Sequence, residues 1–200
     1  EYQDYISSPN RGNSSEFISR AIEDNIDLIA KRENYVQYIA KRPRVEKYGS
    51  HGLFTDANVH ISLDSVAKEV SEHQGIVWTN ILSLRREDAA RLGFEKGEAW
   101  RNLIRGQAEK MAEAMRIPLE DLRWYAAFHN EGHHPHIHMM AYSVDPKEAY
   151  LTKQGIETIK SNLAKEIFRQ DLLQIYQKQT DLRDELRQAS RERMEEIVTE

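Results

Sequence analysis

A strand–turn–strand pattern that carries five of the chain's eight histidines most constrains its fold. Residues 124–129 are rich in aromatic side chains and predict a strand, and a second strand opens at His136. Between them, residues 130–135 include a glycine and a proline, which favour a turn that folds one strand back on the other. The sequence therefore predicts an antiparallel β-hairpin with its histidines gathered at one end.

Three of these imidazoles are predicted to share one face of the hairpin. Side chains alternate between the two faces of a strand, so His136 and His138 point the same way and Ile137 points to the opposite layer. The antiparallel return then brings His129 beside this pair. Because neutral imidazole is the commonest metal ligand in proteins, His129, His136 and His138 predict a metal site.

Composition bounds the remaining possibilities. A chain of 200 residues, 40% hydrophobic and 30% charged, suits one globular domain with room for a helical extension. No apolar run approaches the ~20 residues that a membrane-spanning helix needs, and no secretory signal is visible. The absence of cysteine excludes a disulfide scaffold and a thiolate metal site. We expect a cytoplasmic protein without membrane insertion.

Charge is unevenly distributed along the chain. The net charge is −5, but residues 31–47 include six basic and two acidic side chains, and Arg85 and Arg86 follow a predicted strand. Local patches, rather than net charge, govern contacts with phosphate groups. Either basic segment is compatible with DNA binding or with an ordinary solvated face.

The elements predict an α+β fold in which a central antiparallel sheet carries the histidine hairpin and helices flank it. Residues 1–150 are expected to form the main domain, and residues 151–200 a long C-terminal helix that packs on it and extends from it. The chain begins at Glu1 rather than methionine, so we expect a fragment or processed form lacking upstream elements. The first predicted element is a helix that follows Ser14–Glu16 and has apolar residues at helical spacing from Phe17 to Ile29. The others are helices over 34–40, 62–73 (capped by Ser62 or Asp64), 86–92 and 98–115, a central strand over 76–84, a hairpin over 123–144, and one helix of about 45 residues capped by Thr152.

Three chemistries are compatible with the histidines. Three imidazoles and a water could form a hydrolytic zinc site. The string from His134 to Met140 also fits the pattern of histidine-triad nucleotide hydrolases, which use a histidine nucleophile without metal. The third possibility is HUH-type phosphodiester transfer, in which a His-bound divalent cation neutralises the charge on a DNA phosphate while a tyrosine attacks phosphorus.

The residues around the histidines support the third chemistry, because they resemble MobL-type relaxases of Gram-positive conjugative and mobilisable elements. The resemblance spans most of residues 35–195. Its central motif is His129-x-Glu131-x-x-His134-Pro-His136-Ile-His138, in which the family often has aspartate where this chain has Glu131. The other matching segments are Tyr38-Ile-Ala-Lys-Arg-Pro43, Gly49-Ser-His-Gly-Leu-Phe54, the segment from Ser83 to Gly93, the segment from Arg123 to His129, and Leu151-Thr-Lys-Gln-Gly-Ile156.

The resemblance implies a role for several residues. His129, His136 and His138 would bind a divalent metal ion, Mg²⁺ or Mn²⁺ with Zn²⁺ as an alternative. Glu131 would orient a ligand imidazole, as carboxylates beside metal ligands do. The residues expected to contact DNA are Arg42, Arg85, Arg86 and His134.

Relaxases generally place their nucleophile upstream of the histidines. Tyr38 is the predicted nucleophile, because Lys41, Arg42 and Arg44 beside it could hold the phosphate backbone. Tyr35 is the alternative, since residues i and i+3 share a helix face. A third possibility is that the nucleophile lies in a segment ahead of Glu1.

The function implied is a metal-dependent relaxase that nicks one strand of DNA at a transfer origin and starts conjugative mobilisation. Its partners would be single-stranded DNA, accessory relaxosome proteins and a coupling protein. The alternatives are a histidine-triad hydrolase, a rolling-circle replication initiator or transposase with HUH chemistry, and a non-catalytic DNA-binding fragment.

Overall fold

The computed structural model describes residues 32–57 and 59–199, with side chains from 35 to 57 and from 59 to 194. The helix predicted after Ser14–Glu16 lies outside the described residues, and so does Lys31 at the start of the basic segment. In chain order the elements are α1 (Arg32–Lys41), β1 (Leu53–Phe54), α2 (Leu63–Glu72), β2 (Trp78–Ser83), α3 (Arg86–Leu92), α4 (Gly97–Met115), a 3₁₀ turn (Leu119–Asp121), β3 (Leu122–His129), β4 (His136–Ser143), α5 (Lys153–Ile167) and α6 (Arg169–Thr199).

The four strands form one antiparallel sheet in the order β1-β3-β4-β2, so the predicted α+β fold is confirmed. The histidine hairpin β3–β4 supplies the two central strands. The expectation that β2 is central was wrong, because β2 pairs with β4 at one edge of the sheet. Thr79, Asn80 and Ser83 interrupt its apolar residues and are exposed, and Ile81 is 50% exposed. An edge position tolerates these polar side chains, whereas a doubly covered central strand would bury them.

Helices cover both faces of the hairpin. On one face, α1 and α2 pack against β3 and β4 through a buried cluster that includes Ile39, Val66, Ala127 and Met140. On the other face, Trp100 of α4 is fully buried, with its ring centroid 6.1 Å from that of Phe128 in β3. The face under α1 is the one that carries the even-numbered residues of β4. His136 and His138 belong to it.

Side-chain caps set the starts of two helices as expected. The Ser62 hydroxyl accepts a hydrogen bond from the Ser65 backbone N–H ahead of α2, and the Thr152 hydroxyl accepts one from the Gly155 N–H ahead of α5. The expected single C-terminal helix is two helices, α5 and α6, which meet at Phe168. The 31-residue α6 is the predicted long C-terminal helix.

The chain divides into two compact units, Glu1–Ile159 and Lys160–Glu200. The division falls within α5, a few residues later than the boundary expected at residue 150. The first unit includes the whole described sheet and the histidine hairpin. None of the described helices combines the length and apolar character that a bilayer crossing requires.

Candidate metal centre

The strand register of β3 and β4 brings the three predicted histidines together. His129, the last residue of β3, pairs directly with His136, the first residue of β4, and His138 pairs with Ala127. In an antiparallel pair, directly opposed residues project to the same face. All three imidazoles therefore lie on the face covered by α1, at the turn end of the hairpin.

Their spacing matches three ligands of one cation. Three imidazoles bound at about 2.1 Å would have ring centres roughly 5 Å apart. The observed centroid separations are 5.3 Å for His129–His136, 5.0 Å for His129–His138 and 5.1 Å for His136–His138. The rings are also nearly inaccessible to solvent, since the three residues are 0%, 6% and 1% exposed.

Local contacts set the tautomer of His136 and favour the neutral form of His129. Nδ1 of His136 lies 2.9 Å from the backbone oxygen of His134, so it donates a hydrogen bond and leaves the lone pair of the neutral ring on Nε2. Burial lowers the pKa of His129 far below its usual value. Electrostatic interactions with His138, Arg42 and His136 lower the pKa further, and an interaction with the Ile39 backbone raises it by a smaller amount. Neutral imidazole is the form that binds metal.

His129 gives the clearest indication that a bound group belongs at this site. In the described part of the chain, neither of its ring nitrogens makes a hydrogen bond of ordinary geometry, although both are buried. Buried polar atoms in folded proteins nearly always have a partner, and a bound ion is one established explanation when no protein partner is present. The chemistry of the donor set therefore fits a divalent cation.

Arg42 engages the third histidine. Its Nη1 lies 3.0 Å from Nε2 of His138, and the residue is 5% exposed. Arginine only donates hydrogen bonds, so Nε2 is the acceptor and the proton of the neutral His138 ring is on Nδ1. With the side chains in these positions, no three histidine or carboxylate groups among the described residues converge on a metal position. The three histidines are adjacent, but Nε2 of His138 is hydrogen-bonded to Arg42.

Glu131 connects two arginines at the hairpin turn. One carboxylate oxygen lies 2.8 Å from Nη1 of Arg44, the other lies 3.5 Å from Nη2 of Arg42, and the residue is buried. These contacts link Glu131 to His138 through Arg42. The role that the resemblance implies for Glu131, orienting a ligand imidazole, stays a prediction. Arg44 has a φ of 65°, and its carbonyl accepts a hydrogen bond from Asn130 N–H.

Arg86 fastens the turn that joins the two histidine strands. Its guanidinium donates to the side-chain oxygen of Asn130 at 2.7 Å, to the Gly132 carbonyl at 3.0 Å and to the Glu131 carbonyl. Its backbone N–H also donates to the His133 carbonyl at 3.0 Å. Arg86, predicted to contact DNA, therefore uses its guanidinium to hold the turn. Sequence reasoning missed this role because the partners lie more than 40 positions away in the chain.

The other predicted DNA contacts differ in accessibility. Arg85, the residue that precedes α3, is exposed, and so is His134 in the turn. Arg42 is buried beside His138, so it could contact only a phosphate that lies next to the histidines. The contacts of all four residues with DNA stay predictions.

Both candidate tyrosines belong to α1, next to the histidines. The Tyr35 ring packs edge-on against His138 with a centroid separation of 6.4 Å, and the residue is 8% exposed. The Tyr38 ring lies 5.4 Å from the guanidinium carbon of Arg42 and packs against the apolar cluster under α1. Tyr35 therefore contacts a histidine directly, whereas Tyr38 contacts Arg42, which is hydrogen-bonded to His138. The choice between the two tyrosines stays a prediction.

A cleft of about 650 Å³ opens at the β1 edge of the sheet. The segment 49–54, which sequence analysis had singled out, forms much of its wall, and Lys41 and Arg101 contribute cationic groups. The Arg101 guanidinium carbon lies 4.6 Å from the Tyr48 ring centre and 5.2 Å from that of Phe54. Sequence reasoning missed Arg101 because nothing in its helical surroundings distinguishes it from other surface arginines.

Fold and site together define a class: an α+β domain whose central β-hairpin carries a centre of three imidazoles. The family model of MobL relaxases matches residues 3–200, so the chain belongs to the MobL relaxase family. No curated protein and no solved structure gave a significant match. Membership makes the chain a relaxase, a DNA-nicking enzyme of conjugative mobilisation that acts on single-stranded DNA at a transfer origin.

Proposed function

We propose that this relaxase cuts one DNA strand by metal-dependent transesterification at the histidine centre. A tyrosine oxygen attacks the scissile phosphorus, the bond from phosphorus to the 3′ oxygen breaks, and the 5′ end remains as a phosphotyrosine. The released 3′ hydroxyl later rejoins the strand by the reverse reaction. The observation that carries the proposal is the set of three buried imidazoles spaced 5.0–5.3 Å apart beneath α1.

The chain's own residues prepare this centre for a cation. His129, His136 and His138 would hold Mg²⁺ or Mn²⁺, with Zn²⁺ as the alternative, and the cation would neutralise charge on the phosphate. Burial keeps the His129 ring neutral at the pH of the cell, because its pKa is lowered. The His134 carbonyl orients His136 and selects the ring nitrogen that faces a ligand.

Tyr38 is the proposed nucleophile, and Tyr35 is the alternative. The guanidinium of Arg42 lies 5.4 Å from the centre of the Tyr38 ring, which places a group suited to binding phosphate beside the proposed nucleophile. Tyr35 has the more direct contact with a ligand, through its edge-on packing against His138. Glu131 would help to position Arg42, which contacts the Tyr38 ring directly and is linked to Tyr35 through His138.

Several accessible side chains could contact an incoming DNA strand. Arg85 and His134 are exposed at the turn end of the hairpin, and Lys41 and Arg101 line the cleft at the β1 edge. Each contact with a phosphate would release counterions and make binding depend on salt. We also propose accessory relaxosome proteins and a coupling protein as partners, since a relaxase hands its strand to a transfer apparatus.

The test is nicking of a supercoiled plasmid that carries the element's own transfer origin, with Mg²⁺ or Mn²⁺ and with EDTA. The expected result is an open-circular product with protein covalently attached to the 5′ end, formed only with metal. His136→Ala should abolish the product, whereas His133→Ala, at an exposed turn position, should retain it. Nicking that persists in His136→Ala would refute the proposed centre. Binding of origin DNA without any cutting would instead indicate a non-catalytic DNA-binding module.

A further inference from the structure

We propose that Arg42 keeps the metal centre closed by occupying the donor nitrogen of His138, and that it must release this nitrogen before a cation can bind there. The inference rests on the proposed function, because it assigns a role toward the cation that the histidines would hold. It concerns how strongly the chain binds that cation, which is measurable without any cleavage reaction.

The geometry of one hydrogen bond carries the argument. Nη1 of Arg42 is 3.0 Å from Nε2 of His138, and both residues are buried. The neutral imidazole has one lone pair in the plane of its ring, and here it accepts from the guanidinium. The same lone pair cannot bind a metal ion at the same time. Arginine and cation are therefore competitors for one atom.

The surroundings of Arg42 provide an acceptor for the released guanidinium. Its Nη2 already lies 3.5 Å from one oxygen of Glu131, while Arg44 holds the other oxygen at 2.8 Å. Moving closer to Glu131 would let Arg42 leave His138 without losing a charged partner, which matters because an unpaired buried charge is costly. A DNA phosphate beside the histidines would offer a second acceptor, since the guanidinium fork matches phosphate oxygens. Arg42 is thus a positioning residue that responds to the occupancy of the centre.

The first experiment measures Mn²⁺ affinity by titration calorimetry for wild type, Arg42→Met and Arg44→Met. Arg44 is the matched control, because it contributes the same charge to the same carboxylate. Arg42→Met should bind Mn²⁺ roughly threefold or more tightly than both other proteins, a smaller change than the ~10–100-fold effects of groups that support metal ligands. Affinity in Arg42→Met equal to or weaker than that of Arg44→Met would overturn the proposal. Loss of a positive charge acts in both variants, and more strongly in Arg42→Met because its guanidinium contacts His138, so the hydrogen bond itself is tested separately by the tautomer of His138.

A second measurement needs no variant and so does not depend on how Arg42→Met folds. Long-range ¹H–¹⁵N spectra of the metal-free wild-type protein report which nitrogen of His138 carries the proton. The expected tautomer has the proton on Nδ1, and addition of Mn²⁺ or diamagnetic Zn²⁺ should perturb Nε2. A proton on Nε2 in the metal-free protein would refute the competition. If His136→Ala binds Mn²⁺ as tightly as wild type, the proposed centre itself is wrong, whatever Arg42 does.

Discussion

His129 and His136 face each other as a directly paired couple across β3 and β4, with ring planes 9° apart and centroids separated by 5.3 Å. Two of the three proposed ligands therefore belong to one directly opposed residue pair of the sheet. Backbone pairing fixes their separation, and the packing of α1 above them excludes water. The centre is a property of the hairpin, and His138 joins it two residues further along β4.

This pairing predicts that His129→Ala weakens metal binding by at least about tenfold, since one of three ligands is lost. Equilibrium dialysis with Mn²⁺ or Zn²⁺ would measure the change. His133→Ala is the matched control, because it removes an imidazole from the exposed turn of the same hairpin. Equal losses in the two variants would mean that the buried histidines are not the ligands.

Arg86→Met should lower the free energy of unfolding by about 1–3 kcal/mol, because the carbonyls of Glu131 and Gly132 lose a charged donor. Urea denaturation would measure this effect. Arg85→Met, at the neighbouring exposed position, should change stability by less than about 0.5 kcal/mol.

The same pair of variants separates stability from DNA contact. If Arg85 touches a phosphate, Arg85→Met should reduce the salt dependence of oligonucleotide binding by about one charge. Equal stability in Arg85→Met and Arg86→Met would contradict the role of Arg86 in the turn.

Stability should fall with acidification below the ordinary pKa of 6.5 because His129 is buried. Its pKa in the folded state is lowered, so the unfolded chain takes up the proton first as the pH falls. Above pH 6.5 the His129 ring is neutral in both the folded and the unfolded chain, so it does not make the free energy of unfolding depend on pH. Below it, the loss approaches about 1.4 kcal/mol per pH unit.

Urea denaturation in EDTA at several pH values between 5 and 8 would test this dependence. His129→Gln removes the titrating group, so its unfolding free energy should vary less steeply with pH than that of wild type. Parallel curves for the two proteins would show that His129 does not titrate as its burial requires.

Tyr38→Phe should abolish the covalent adduct with origin DNA and leave oligonucleotide binding within about twofold, because only the attacking oxygen is removed. Tyr35→Phe is the matched control on the same helix and should still form the adduct. Denaturing gel electrophoresis of protein incubated with a labelled oligonucleotide would show it. Adduct formation by Tyr38→Phe, with none by Tyr35→Phe, would assign the nucleophile to Tyr35.

Arg101→Met should weaken the binding of single-stranded origin DNA by about three- to tenfold, as expected for loss of one phosphate contact. The reason is that Tyr48 and Phe54 hold the Arg101 guanidinium at a cleft large enough for a nucleotide. Fluorescence anisotropy at several salt concentrations would measure the change. Arg105→Met, one turn along the same helix, is the control. Unchanged binding in Arg101→Met would place the DNA elsewhere.

Much of the centre was predictable because its geometry is local. Strand alternation selects His136 and His138, and a turn of six residues brings His129 back beside them. Helix α1, the cap at Ser62 and the cap at Thr152 follow from equally short-range rules. The position of β2 did not follow, because whether a strand is central or at an edge depends on pairing partners far away in the chain.

The sequence by itself determined the hairpin, the three imidazoles and their shared face, since alternation and turn formation act over a few residues. Only the tertiary structure decided what surrounds them. Arg42 meets His138 across 96 positions, and Arg86 reaches the turn across more than 40. Such contacts depend on how α1 and α3 pack against the sheet, which no local pattern specifies. The three histidines are thus positioned by local rules, and the groups that surround them by long-range packing.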